Sequence, residues 1–388
     1  MKKLRMATPG PTYVPQDILL AGAQELVHHR STQMEEVMER INHSLPILFG
    51  TEQKVFTLLS SGTGAMEAAV ANCFQEHDKV LVVSNGYFGE RFADIAKVYG
   101  VQPIEIVCPW GSSVDIAQVE KAYREHPDVK GILVVYSETS TGVTNEIQGL
   151  ADFFRDKDVL VIVDAISGLL SHELVMDQWG LDVVLAASHK GFMMPPGLAF
   201  VCISEKAWQR LEQIEPKTYY FSFKRFRTFY PMSPSSPGVS LIFALQASIE
   251  MLMKEGLSAC HQRHYWIAQA AQAGLTALGF DLFVTNLQRR SHTVTTAIAP
   301  QGLDTSQLLH ILSSRYGLSI TGGQGEFKGK MIRVGHIGSV DMLDMFSVFG
   351  AIELALADMG ASFTKGSSIA AIQEVQKRSV YHADFVST

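Results

Sequence analysis

Cysteine is scarce in this chain of 388 residues: Cys73, Cys108, Cys202 and Cys260 stand apart, with no CxxC pair and no histidine at zinc-site spacing. That pattern excludes a disulfide scaffold and a finger-type metal centre, and it reads as buried thiols of a reducing, cytoplasmic compartment. Charge is also sparse, at 18% of residues, and the formal net charge of -7 lacks the positive field that general nucleic-acid binding needs. Long apolar runs are missing. The longest charge-free stretch, Thr228–Ile249, is broken by three prolines and several serines, so no membrane span is expected. The basic start MKKLRMATPGP has no apolar segment behind it, and no signal peptide is read there.

What is present is a strand–helix alternation. Short β-branched runs at Val55–Leu59, Val80–Ser84, Gly131–Tyr136, Val159–Val163 and Asp182–Ala187 read as buried parallel strands. Helical patterns fill the gaps at Ala65–Ala71, Arg91–Tyr99, Val114–Glu125 and Ile147–Phe154. This spacing predicts an α/β fold with a mostly parallel, doubly wound sheet. Leu198–Ser204 follows the Pro195-Pro196-Gly197 turn too closely for a helical crossover, so it is expected antiparallel. The texture changes near Gly256, giving an arm (1–16), a large unit (17–255), a smaller C-terminal α+β unit (256–362) and a tail (363–388) with a helix at Ile369–Lys377 that then fades.

The chemistry centres on Val159–Pro196. One strand ends at Asp164, and the next runs into Ser188-His189-Lys190-Gly191. Ligands of open α/β sheets sit outside the carboxyl ends of the strands, so this acid and amine are expected to face one crevice. Two readings compete. One is a structural Asp–Lys ion pair; the other is a pyridoxal 5'-phosphate site, in which the ring nitrogen pairs with the carboxylate and the aldehyde carbon bonds the lysine.

Other motifs are compatible with the second reading. A strand feeds Ser60-Ser61-Gly62-Thr63-Gly64 and then a helix, an arrangement whose free amides can hold a phosphate, or which is simply a turn. Asn85-Gly86-Tyr87-Phe88-Gly89-Glu90-Arg91 places an aromatic beyond a strand end, either flat on a planar ring or packed in the core. Ser137-Glu138-Thr139-Ser140-Thr141-Gly142 offers hydroxyls to a ring substituent or to the next helix. Lys217–Tyr230 interleaves aromatics with Lys224, Arg225 and Arg227, which in an acidic chain suits an interface or an acidic ligand better than a nucleic acid.

In order and spacing these motifs resemble the class V pyridoxal-phosphate-dependent aminotransferases, nearest to the alanine–glyoxylate and serine–pyruvate or serine–glyoxylate group. The resemblance runs from Pro9-Gly10-Pro11 to Arg333-Val334-Gly335. It implies a PLP-dependent transferase of fold type I, with Lys190 forming the aldimine and shuttling a proton and Asp164 holding the pyridine nitrogen protonated. Phe88 would stack on the ring, and Thr139 would bond its phenolate side. The amides of Gly64 and Ala65, with the Thr63 hydroxyl, would cradle the phosphate. Arg333 would clamp the substrate carboxylate near Gly10. His189 stands where glutamine is usual, which suggests phosphate affinity that weakens as pH rises. The family also implies a homodimer with shared sites, in which Ser235 and Ser236 of the Ser233–Ser236 loop reach the partner's cofactor. The activity implied is ping-pong amino transfer from alanine or serine to glyoxylate or pyruvate. The alternatives are transfer from an aminoethylphosphonate or acidic amino acid served by Lys224, Arg225 or Arg227, a lyase or cysteine desulfurase, and a cofactor-free scaffold.

Overall fold

The computed structural model describes residues 3–386, with side chains through Val380; residues 1–2 of the expected arm and 387–388 of the expected tail lie outside the described residues. A seven-stranded sheet carries β1 (Val55–Leu59), β2 (Lys79–Ser84), β3 (Gln102–Val107), β4 (Gly131–Val135), β5 (Leu160–Asp164), β6 (Val183–Ala187) and β7 (Leu198–Ile203), in the order β1-β7-β6-β5-β4-β2-β3. β7 runs antiparallel to both neighbours and the remaining pairings are parallel, as the short Pro-Pro-Gly turn required.

Both faces of the sheet are covered, which is why its strands read as continuous apolar runs. Leu81, Val83, Val161, Val163, Val184 and Ala186 enter one core, while Val80, Val82, Leu160, Ile162, Val183 and Leu185 enter the other. β3 escapes sequence reading because it lies at the sheet edge, and QPIEIV holds Pro103 and Glu105 with only Ile106 buried.

The C-terminal layer is a four-stranded antiparallel sheet of β8 (Asp281–Leu282), β9 (Val294–Ile298), β10 (Thr321–Gly322) and β11 (Met331–Gly335), ordered β8-β9-β11-β10. Helices Leu257–Ala277, Met342–Asp358 and Ser367–Val386 accompany it. The N-terminal segment joins this layer: Arg5–Met6 pairs in parallel with Leu318–Ser319, and the Gly335 amide donates to the Ala7 carbonyl at 2.7 Å. The C-terminal segment does not fade after Lys377. Its helix continues to Val386, with Ile372 and Val375 buried in the layer's core. Glu353 anchors its start by accepting from the amides of Gly366 and Ser368 and from the Ser368 hydroxyl.

The aromatic–basic stretch is absorbed by its own chain. Phe223 and Phe226 enter the core, Lys224 donates to the Ile214 carbonyl, Arg225 lies over Tyr219, and Arg227 pairs with Glu212 at 3.0 Å.

Candidate active site

Beyond the carboxyl ends of β2, β4, β5 and β6 lies a pocket of about 200 Å³. Asp164 is the last residue of β5, and Lys190 follows β6 by three positions, so adjacent parallel strands deliver the acid and the amine to one wall. Both are buried. No ion pair joins them among the described residues. The Lys190 ammonium instead donates to the Pro9 carbonyl at 2.5 Å, and one Asp164 oxygen accepts from the Ile166 amide at 2.8 Å. Burial pushes Asp164 up to about 7, and the Glu138 carboxylate adds to that. Burial also pulls Lys190 down to about 8, against the opposing pull of Asp164.

The glycine turn begins a helix, Gly62–Cys73, whose N-cap is Ser61. Ser61, Gly62 and Thr63 line the pocket. Ala65 is not among the free donors: its amide bonds the Ser61 carbonyl at 3.3 Å as the helix's own first link. The unsatisfied amides of this end are therefore those of Gly62, Thr63 and Gly64. The Thr63 hydroxyl accepts from Arg91 at 2.9 Å. A Cβ on Gly64 would strike the Ser60 hydroxyl, which would have to turn aside.

His189 lines the same pocket, and its Nδ1 is buried with no hydrogen-bond partner. Burial, with Lys190 beside it, pulls its pKa down to about 4. In the cofactor-free pocket the imidazole is therefore held toward its neutral form. A buried orphan nitrogen, free helix-end amides and a buried acid and amine held apart are the donor set a phosphorylated pyridine aldehyde requires, and the residues present fit pyridoxal phosphate.

The remaining expected residues divide. Gly10 and Phe88 line the pocket. Thr139 does not; the residue of its loop that lines the pocket is Ser137, whose hydroxyl bonds that of Ser291 at 2.8 Å, while the Thr139 carbonyl accepts from Arg333 at 3.0 Å. Arg333 is buried on β11, also donates to the Gly322 carbonyl at 2.7 Å, and stands behind the wall, where its charge still acts on Lys190. Ser235 and Ser236 do not line this pocket. Sequence reasoning missed Arg91, which lines the pocket with its guanidinium 4.9 Å from the Phe88 ring centroid. Its position one helical turn after Phe88 was the available signal.

Comparison with known proteins agrees with this geometry. The family model for class-V aminotransferases matches residues 11–335. A protein named soluble hydrogenase, small subunit, from a Synechococcus strain is 36% identical, covering 96% of this chain and 98% of its own. The L-aspartate–glyoxylate aminotransferase of Paracoccus denitrificans is 32% identical, covering 94% of each chain. Among solved structures, an alanine–glyoxylate aminotransferase of Nostoc sp. superposes with a TM-score of 0.87 at 27% identity, covering 92% of this chain and 96% of that one. The strand order, the buried acid and amine of one pocket and these matches lead to one conclusion: the chain belongs to the class-V aminotransferases, pyridoxal-phosphate-dependent transferases of fold type I.

Proposed function

We propose that this enzyme transfers the amino group of a small L-amino acid, alanine or serine, to glyoxylate or pyruvate in two half-reactions. The observation that carries the reading is the pair Asp164 and Lys190, buried on one pocket wall and not bonded to each other. When bound, the cofactor supplies an electron sink for the substrate's Cα carbanion. Lys190, with its basicity lowered by burial, would be the amine that holds the cofactor at its aldehyde and would carry the proton at the substrate's Cα. Asp164 holds the pyridine nitrogen protonated, and the amides of Gly62, Thr63 and Gly64 with His189 receive the phosphate. Arg333 binds the substrate carboxylate, for which its fork geometry is suited.

Desulfurase chemistry needs an accessible thiol, and all four cysteines are buried. Burial pushes Cys202 and Cys260 up to about 12. Lys224, Arg225 and Arg227, considered for an acidic substrate, are engaged elsewhere. An aspartate donor remains a second reading, favoured by Arg91, which lines the pocket and has no carboxylate partner among the described residues.

Ser235 and Ser236, which do not line their own chain's pocket, and the exposed Leu19 (50%), Leu20 (58%) and Leu26 (65%) support a homodimer with shared sites. No helix among the described residues is long and apolar enough to cross a membrane. We take residues 17–255 as the cofactor-binding unit and 256–362 as the small unit. The unpaired thiols support a cytoplasmic location.

The deciding experiment is a half-reaction screen of the yellow, cofactor-loaded protein, absorbing near roughly 410–430 nm. Alanine or serine should bleach it, and glyoxylate or pyruvate should restore it. Bleaching by aspartate alone would favour the second reading; bleaching by no amino acid would end the proposal.

A further inference from the structure

Glu138 has no exposed surface, and no cation pairs with it among the described residues. A carboxylate in that position is costly unless every lone pair is used. Here they are: one oxygen accepts from the amides of Phe88 (3.0 Å) and Gly89 (3.1 Å), and the other from the amide (3.1 Å) and hydroxyl (2.6 Å) of Ser140.

The Phe88 and Gly89 amides belong to the first turn of helix Tyr87–Val98, where no intrahelical acceptor exists and the helix field favours an anion. The helix's own N-cap, Gly86, has no side chain to do this. A Cβ at Gly86 would lie 2.4 Å from Glu138 Cγ, so the missing cap makes room for a carboxylate sent from another strand end. The Ser140 hydroxyl in turn accepts from the Tyr87 amide at 3.0 Å, closing the link. The next residue along, Thr139, gives its carbonyl to Arg333.

We propose that Glu138 is a positioning residue of the active site: its carboxylate locks the start of the Tyr87–Val98 helix to the Ser137–Thr141 loop and thereby fixes the Phe88 ring against the cofactor. This rests on the placement of the cofactor ring against Phe88. The same carboxylate favours the charged form of Lys190, so its role is electrostatic as well as geometric.

The test compares Glu138→Gln with Phe88→Leu. Glutamine keeps the shape but turns an amide NH2, itself a donor, toward two of the four donors. Three quantities are measured: the dissociation constant for pyridoxal phosphate, the visible circular dichroism of the loaded protein, and the pH dependence of Lys190 labelling in the cofactor-free protein. Glu138→Gln should weaken cofactor binding about tenfold or more, reduce the dichroism, and move Lys190 labelling to lower pH. Phe88→Leu should reproduce the first two changes and leave the lysine where it is. If Phe88→Leu alters both and Glu138→Gln alters neither, the positioning role is overturned. If Phe88→Leu alters neither, the ring placement falls and the proposal falls with it. Should Glu138→Gln fail to fold, Ser140→Ala, which removes the 2.6 Å bond, decides the matter through smaller changes in the same direction.

Discussion

Lys190 donates its ammonium proton to the carbonyl oxygen of Pro9 at 2.5 Å, although 181 positions separate the two. The arm is therefore part of the site. Gly10, the next residue, makes the approach possible: its φ is +144°, and a Cβ there would lie 2.4 Å from Lys190 Nζ. Gly10→Ala should leave the fold intact but displace the amine, lowering kcat by roughly 10²-fold, as misplacement of a reacting group by about an ångström can do. Wild-type turnover in that variant would show that the arm's approach to Lys190 is incidental.

Lys190→Ala tests the amine itself. Loss of the nucleophile and proton carrier should cost about 10³-fold or more in turnover. The phosphate cradle is untouched, so pyridoxal phosphate should still bind, but borohydride should no longer fix it to the chain. Mass spectrometry of the reduced protein reads this directly. Covalent retention in the variant would move the linkage to another lysine.

How much of this was legible in the sequence depends on where each residue sits. Strands buried on both faces announce themselves as apolar runs, and Asp164 and Lys190 stand out because each lies just beyond such a run; the structure brings both to one pocket. β3 was not legible, because an edge strand carries polar residues on exposed positions. The place of Ala65 was not legible either: its amide makes the first bond of the helix that begins at Gly62, and a motif does not show at which residue a helix starts. Ser137 and Thr139 could not be told apart, since a loop that pairs with itself as Ser137–Glu138 against Val143–Thr144 sets side-chain directions no periodicity encodes. Glu138 was visible only as a member of a motif. Its role depends on a helix 50 residues earlier in the chain.

Two sets of buried groups make stability depend on pH with opposite signs in the cofactor-free protein. Asp164, raised from 3.8 to about 7, binds a proton more readily folded than unfolded, so its contribution is present below pH 4 and lost as pH rises toward 7. The histidines between the layers behave oppositely. His172 stacks on His292 at 4.1 Å and accepts from its amide, and burial holds His292 at about 4 and His336 at about 3. Their contribution is present above pH 6.5 and lost as pH falls. Asp164→Asn should therefore stabilise the cofactor-free protein at pH 8 and raise its melting temperature, the gain in unfolding free energy being bounded at roughly 4 kcal/mol and vanishing near pH 4. In that variant melting temperature should fall steadily from pH 7 to 4. A wild-type advantage at pH 8 would show that the carboxylate is already compensated without the cofactor.

Arg333, proposed as the substrate carboxylate's partner, is the residue whose loss should affect substrate and spare the cofactor. Its Nε and one Nη are committed to the Gly322 and Thr139 carbonyls, so the guanidinium is held in one orientation by backbone from both layers. Its remaining N–H groups are those available to a substrate carboxylate. Arg333→Ala should lower kcat/KM for every amino donor by roughly 10²-fold, the worth of a charge-assisted pair, while cofactor content stays at the wild-type value. Arg333→Lys should recover little, because a single ammonium cannot reach two carbonyls and a carboxylate in that geometry. The measurement is kcat/KM across alanine, serine and aspartate beside the absorbance ratio of bound cofactor to protein. An unchanged kcat/KM would place the carboxylate on another cation, and Arg91, which lines the pocket, would be the next to replace.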